Sequence, residues 1–151
     1  MQRYDAKDLR ILRVLQVDST AAVADLAAQI GLSINACWRR VKRLQDETID
    51  RQVAILQPEH FGFGLTAFVS VRTNEHNDQW LQTFAEGISK IDEEEEFYRH
   101  SGQYDYQLTI MAQDVADYDL VYKRIIKIAP LTDVSSSFAM ERIKTTTALP
   151  I

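Results

Sequence analysis

Cysteine is all but missing from this chain of 151 residues: there is one, Cys37. An internal disulfide is therefore excluded, and so is a zinc site built from several thiolates. Histidine is scarce as well. His60, His76 and His100 stand apart, without the i, i+3 or i+4 spacing of ligands on one helix, so no metal site is expected. No run of residues is apolar and long enough to cross a bilayer, so no membrane partner is expected. The start, MQRYDAKDLRIL, lacks the uninterrupted apolar stretch of a signal peptide, which places the chain in the cytoplasm. No grouping of nucleophile, base and orienting residue can be assembled either, so the reading includes no catalytic residue, no enzyme activity and no cofactor.

An excess of positive charge is also lacking, since 17 Lys and Arg face 22 Asp and Glu for a net charge of −5. That balance argues against nucleic-acid binding only until the chain is divided. Residues 1–52 hold nine cationic and seven anionic side chains, net +2, whereas residues 53–151 hold eight and fifteen, net −7. A small basic part joined to an acidic part implies that the first alone meets phosphate.

The basic part carries the most telling stretch, VADLAAQIGLSINACWRRVKR from Val23 to Arg43. Two helical patterns meet there at Gly31, where a left-handed residue ends the first at little cost. Ser33 caps the second by accepting from a free N–H of the first turn. Cys37, Val41 and Leu44 follow at i, i+4 and i+7 and so share one inward face. Asn35, Arg39, Lys42 and Arg43 then point outward, with Ala36 and Trp38 at the margins and Arg40 adding a fourth cation. A cationic helix just after a tight turn is a helix-turn-helix signature, and its width fits the major groove of B-DNA, about 12 Å across. An ordinary amphipathic helix pair with a solvated charged face is the plainer alternative. A preceding helix is expected over Asp5–Val17, with Leu9, Ile11, Leu12 and Leu15 on its apolar stripe, and the middle helix over Ala22–Ile30.

Residues 53–64 form a connection. Ile49, Val53 and Ile55 alternate loosely, as in a strand pair or linker strand, before Gln57-Pro58-Glu59 and the glycines of FGFGL mark a boundary. From Leu65 the period changes. LTAFVSVR alternates as a half-buried strand, Asn77–Ile91 has a helical apolar face, FYRHS is a short strand, SGQYD a turn and YDYQLTIMA another strand. Asp114 caps a helix bearing Tyr118, Val121, Tyr122 and Ile125, Pro130 ends it, and VSSSFAMERIKTTTALPI closes the chain as an extended strand. The order strand, helix, strand, strand, helix, strand over residues 65–151 is that of a ferredoxin-like sandwich, which leaves one sheet face bare. Phe68, Tyr106, Leu108, Phe138 and Met140 are candidates to line one face or the other, and uncovered apolar surface implies a partner subunit. The fold class is thus α+β, a three-helix helix-turn-helix domain followed by a ferredoxin-like domain. The acidic run Glu93–Glu96 reads as a solvated, edge-protecting loop in preference to a metal site.

DLRILRVLQ, LAAQIGLSINACWRRVKRLQ, SGQYDYQL and SSFAMERIKTTTALP occur in the order in which their counterparts occur in the Lrp/AsnC family of prokaryotic transcriptional regulators, which the chain resembles over nearly its whole length. The resemblance implies a DNA-binding regulator that forms homodimers, often octamers, through its sensing domain and responds to a small amino acid. Its recognition helix would run from Ser33 to about Gln45. Its effector loop would be Ser101–Asp105. There the backbone N–H groups around Gly102 suit a carboxylate, Asp105 suits an ammonium, Tyr104 walls the side chain, and Ser136 adds a hydroxyl. Read without the family, Gly102-Gln103-Tyr104-Asp105 is equally a hairpin turn in which Asp105 caps its own backbone. Three positions depart from the family pattern: Ala22 where a capping residue is common, Thr48 in place of a glycine after the recognition helix, and Gln103 in place of an acidic residue. The FAMERIK and YKR segments look closest to a branch associated with cysteine metabolism, which suggests cysteine or another small neutral amino acid. Some haem-biosynthesis decarboxylases share this layout. The enzyme alternative would rest on Arg99 and His100.

Overall fold

A computed structural model describes residues 4–151; the first three residues of the start, read above for a targeting signal, lie outside the described residues. Packing divides the chain into two compact units, one formed by residues up to Ile55 together with Ile143–Ile151, the other by Leu56–Arg142.

The first unit is built on three helices. Helix α1 spans Ala6–Leu15, α2 Val23–Ile30 and α3 Ile34–Glu47. Asp5 and Asp8 close α1 with a reciprocal capping box, each side chain accepting from the other's backbone N–H at 2.8 and 3.2 Å. Ile11, Leu12, Leu15, Leu26, Ala27, Ile30, Cys37, Val41 and Leu44 make one core. Cys37 is fully buried, and that burial pushes its thiol pKa up, as suits a core residue. Gly31 ends α2 at φ 72°, and Ser33 caps α3 by accepting from the Ala36 N–H at 3.2 Å. Ala22 stands at the α2 cap with no side-chain bond, and Thr20 does not replace it, because its hydroxyl turns to Asp18 at 2.6 Å. Asp25 in the first turn favours the helix dipole instead. Arg10 reaches the other end of α2, donating to the Gln29 carbonyl at 2.7 Å. Thr48 ends α3 at φ −133°, so this chain leaves the helix without the left-handed residue that a glycine would supply.

Residues 51–57 form no helix or strand, contrary to the strand pairing read from their alternation, because no neighbouring strand accepts their backbone. Val53, Ile55 and Leu56 remain 63%, 74% and 63% exposed. A 3₁₀ turn, Pro58–Phe61, follows.

The second unit has the expected order: β1 Leu65–Arg72, α4 Asp78–Ile88, β2 Glu94–Arg99, β3 Tyr106–Ala112, α5 Val115–Ile125 and β4 Asp133–Phe138. The antiparallel sheet runs β2-β3-β1-β4. Both helices cover one face. Ala67, Val69, Val71, Leu108 and Ile110 of the sheet meet Trp80, Phe84 and Ile88 of α4 and Tyr118, Val121 and Ile125 of α5. Trp80 stacks on Phe84 at 4.8 Å between ring centres and donates its indole N–H to the Pro130 carbonyl at 3.0 Å.

The bare face is less apolar than the sequence suggested. Tyr106 and Leu108 lie in the helix-covered core, Phe138 packs edge-on to Tyr118 of α5, and Met140 lies beyond the sheet. Of the five candidates only Phe68 is left on the open side, among Thr66, Ser70, Thr109, Ser135 and Ser137. Several elements end sooner than their patterns, among them β2 at Arg99 and α5 at Ile125, short of Pro130. The pattern to Ile91 continues past α4, whose helix stops at Ile88, and the closing strand stops at Phe138 because its partner β1 begins at Leu65, so Ala139 makes a last bond to Thr66. One starts sooner: β2 already includes Glu94, with an irregular register between Glu94 and Glu96.

Gly87 has a packing reason. A Cβ placed there would overlap the side chain of Ile128. Gly87→Ala is expected to destabilise this unit by about 1–3 kcal/mol through overpacking. In an Ile128→Ala background the same change should become stabilising by up to about 1 kcal/mol, the helix-propensity gain of alanine. A double-mutant cycle of denaturant melts checks this, and equal effects in both backgrounds would refute it.

Candidate nucleic-acid interface and effector loop

Helix α3 is docked on α1 by charge as well as by its apolar face. Asp8 points from α1 toward α3 with its side chain only 4% exposed, and both of its oxygens are used. Arg40 donates to Oδ1 and Arg43 to Oδ2, each at 2.7 Å, and Arg40 also reaches Asp5 at 2.7 Å. Burial alone pushes the Asp8 carboxyl up; the bonds from Arg43, Arg40 and the Asp5 N–H outweigh it, and the net shift is downward. Neither arginine's role was visible in a helical wheel, because Asp8 lies 32 and 35 residues away in the sequence. An aspartate at the third position of a helix, facing two arginines of another, was the available signal.

The residues expected to face DNA therefore divide. Arg43, expected to point outward, turns back to Asp8 in part, and Arg40 is held on both acidic partners. Lys42 is exposed and pairs with Asp46 one turn on, at 3.0 Å. Arg39 is exposed and makes no ion pair among the described residues. Beside it lie Asn35, exposed, and Trp38, 56% exposed, while Ile34 is 58% exposed on the first turn. Ser33 is exposed at the cap and Ala36 half-buried. Ala36, Arg39, Arg40 and Arg43 border one surface depression together with Asp5 and Asp8.

In the second unit, residues 101–105 link β2 to β3 at the end of the sheet where β1 finishes. Gly102 has φ 153°, a conformation that L side chains rarely adopt. Asp105 is tied in from three sides: its N–H donates to the Val71 carbonyl at 2.9 Å, its carbonyl accepts from His100 at 2.7 Å, and its Oδ2 accepts from the Thr73 N–H at 2.9 Å. The carboxylate thus caps the end of β1 across 32 residues of sequence and not its own turn. Oδ1 has no protein partner among the described residues. Arg72 braces the loop from the open face, donating Nε–H to the Gln103 carbonyl at 2.9 Å with its guanidinium 5.2 Å from the Tyr104 ring centre. Arg72 was not among the expected site residues; a single cation ending an alternating strand was the clue. Ser101, Gly102 and Gln103 are exposed and Tyr104 half-buried. Ser136 lies apart from the loop. It pairs with Val69 on the helix-covered side of the sheet and shares a hydrogen bond with the Tyr118 hydroxyl. No group of three or more metal-ligating side chains occurs among the described residues, and no helix among them is long and apolar enough to cross a membrane.

A three-helix unit with a cationic third helix, chained to a ferredoxin-like unit with a braced loop, is the layout of a ligand-responsive DNA-binding regulator. The AsnC-type helix-turn-helix domain matches residues 5–45 and the Lrp/AsnC ligand-binding domain residues 66–149, and the chain belongs to this family of transcriptional regulators. It is 43% identical over 149 residues to the DNA-binding transcriptional activator DecR of Escherichia coli, covering 97% of this chain and 98% of the relative. The crystal structure of an AsnC family transcriptional regulator from Agrobacterium tumefaciens is 50% identical and superposes with a TM-score of 0.93 over 97% of each chain. A transcriptional regulator from Neisseria meningitidis in complex with L-Met is 30% identical, with a TM-score of 0.91 over 97% of this chain and 96% of that one. The decarboxylase alternative finds no support among these relatives.

The Asp8 cluster makes a signed prediction for acid. A carboxyl lowered from its ordinary value, near 3.8, stabilises the folded state fully above that value and loses this contribution as pH falls through the lowered one. Asp8→Asn is expected to cost at or below the lower end of the roughly 3–5 kcal/mol for breaking a buried ion pair, because both guanidiniums keep some solvent. The gap to wild type should be widest at neutral pH and close below about pH 4. Urea melts across that range test it; a gap independent of pH would refute it. On the reading face, Arg39→Ala should weaken operator binding by roughly 1–3 kcal/mol without lowering the melting temperature, whereas Arg43→Ala should lower that temperature. Paired calorimetry and binding titrations distinguish the two, and equal thermal losses would contradict the division.

Proposed function

We propose that α3 reads operator DNA in the major groove and that a small amino acid held at Ser101–Asp105 changes how tightly it does so. The observation that carries the first half is Arg39: an exposed guanidinium, free of acidic partners among the described residues, at the centre of a helix whose remaining cations are engaged. Ser33, Asn35, Ala36, Trp38, Lys42 and the partly exposed Arg40 and Arg43 complete the contact set. Trp38 and Ile34 supply apolar surface of the kind that meets thymine methyl groups.

For the effector, the loop offers Asp105 Oδ1 to an ammonium, backbone N–H groups around Gly102 and the outer nitrogens of Arg72 to a carboxylate, and the Tyr104 ring to a side chain. The L-Met complex of the Neisseria protein supports a free amino acid as the ligand class; cysteine or another small neutral amino acid is our preferred candidate. Two features support assembly as a homodimer, and further as an octamer: the exposed apolar segment Val53–Leu56 and an open sheet face centred on Phe68. A second copy can bury both. Such a regulator acts on DNA in the cytoplasm and needs neither cofactor nor membrane.

The test begins with a thermal-shift screen of the protein amino acids, since a ligand that binds only the folded state raises the melting temperature. Asp105→Asn retains an oxygen for the Thr73 N–H, so the fold should hold while effector affinity falls by on the order of 2–5 kcal/mol. Operator affinity is then measured with and without the amino acid found in the screen. The variant should bind DNA as wild type does and lose the dependence on the amino acid. A variant that responds at the wild-type ligand concentration would show that Asp105 is only a cap for β1.

A further inference from the structure

Residues 143–151 lie with the helical unit although the chain reaches them from the sheet of the other unit. Their anchorage is specific. Gln16, the residue that ends α1, donates its amide N–H to the Leu149 carbonyl at 2.9 Å and accepts the Leu149 N–H on Oε1, also at 2.9 Å. One side chain thereby makes to a single residue the two bonds that a neighbouring strand would make. Arg13, one turn earlier on α1, donates Nε–H to the backbone oxygen of Ile151. Between these points Pro150 has no N–H to offer, and the Ile151 N–H folds back on the Leu149 carbonyl at 2.9 Å in a γ-turn. The site reads backbone and shape, and its occupant is a short bent segment around a proline.

Little else holds the segment. Met140 and Ile143 on the way to it are almost fully exposed, and Leu149 itself is 67% exposed. Only Ile151, 38% exposed, adds much apolar cover, and an attachment made of a few hydrogen bonds and one apolar side chain belongs to the low-stability end of a structure, where opening is easy. Its position gives opening a consequence. The chain reaches the docked segment from β4, which ends at Phe138, and β4 pairs with β1, the strand whose far end is tied to residues 103 and 105. Its anchor, α1, is the helix whose Asp8 braces the reading helix. The chain crosses between the units twice, after Ile55 and after Arg142, and beyond the second crossing it is held to α1 at Leu149 and Ile151.

We propose that Arg13 and Gln16 form a docking site for residues 148–151, and that this strap, when docked, limits the freedom of the reading unit and raises its affinity for DNA. The inference rests on the DNA-reading function proposed above. The full-length protein is used to select duplexes from a random library, and the affinity of the selected duplex is measured for wild type, Gln16→Ala and Leu149→Pro. The last removes the N–H from the tail and leaves α1 intact. Hydrogen exchange at Leu149, whose N–H is the one Gln16 accepts, reports release of the tail in wild type and Gln16→Ala, and exchange in Leu12 and Leu44 reports the helical core. Gln16→Ala should exchange the Leu149 amide at the free-peptide rate, and both variants should keep core protection and lose roughly tenfold in DNA affinity, a modest part of what tethering contributes to a linked binding event. A released tail with unchanged affinity would overturn the strap, and so would a wild-type tail that already exchanges freely. A wild-type protein that selects no duplex would instead overturn the DNA-reading function and the strap with it.

Discussion

Asp8 is the charge against which α3 is set. Its carboxylate is almost removed from water, which would by itself favour the protonated form, and it stays ionised because two guanidiniums and a backbone N–H converge on it. The same contacts decide what α3 can offer to DNA. Arg40 and Arg43 spend hydrogen-bonding capacity inside the protein, and what they present outward is a fixed cationic surface. Arg39 keeps its full set of donors. A helix that looks uniformly basic in sequence is therefore graded, with Arg40 and Arg43 held by acidic partners and Arg39 without one among the described residues.

The sensing unit uses a comparable economy at β1. One side of this strand is core, Ala67, Val69 and Val71; the other is open, and its last residues, Arg72 and Thr73, hold the loop between β2 and β3. The loop is shaped by contacts to a strand more than 30 residues earlier, so its geometry is coupled to the sheet more than to its own sequence. β1 also pairs with β4, which places the loop and the start of the carboxyl-terminal segment on opposite ends of one hydrogen-bonded ladder.

How far this was legible in sequence follows from the range of the interactions. Helix positions came from caps and periodicity that act within four residues, and Gly31, Ser33 and Asp114 stand at the helix ends where local chemistry puts them. The ferredoxin-like order followed from alternation; Pro130, read as the end of α5, lies beyond it, because the helix already stops at Ile125. Failures came where a partner distant in sequence decides. Val53 to Leu56 alternate like a strand but have no strand beside them; the closing segment has extended composition throughout but loses its partner after Phe138. Arg43 was placed by its angle on a wheel, and Asp8 pulled it back. Gln16 carried no local signature at all, and Arg72 only that of a single cation ending an alternating strand. Ser136 was grouped with the loop by family pattern, while strand register sets it under α5 with Tyr118.

Gly102 and Gln103 sit side by side in the loop under opposite constraints. At φ 153° the glycine resists replacement by any residue with a side chain. Gln103 contributes only its carbonyl to Arg72, and its side chain is free in solvent. One position conserves shape while its neighbour is open to chemical change at almost no expense in folding. Divergence among duplicated copies of such a gene can then begin at residue 103, where a single codon alters exposed charge or length before any other part of the protein has to adjust.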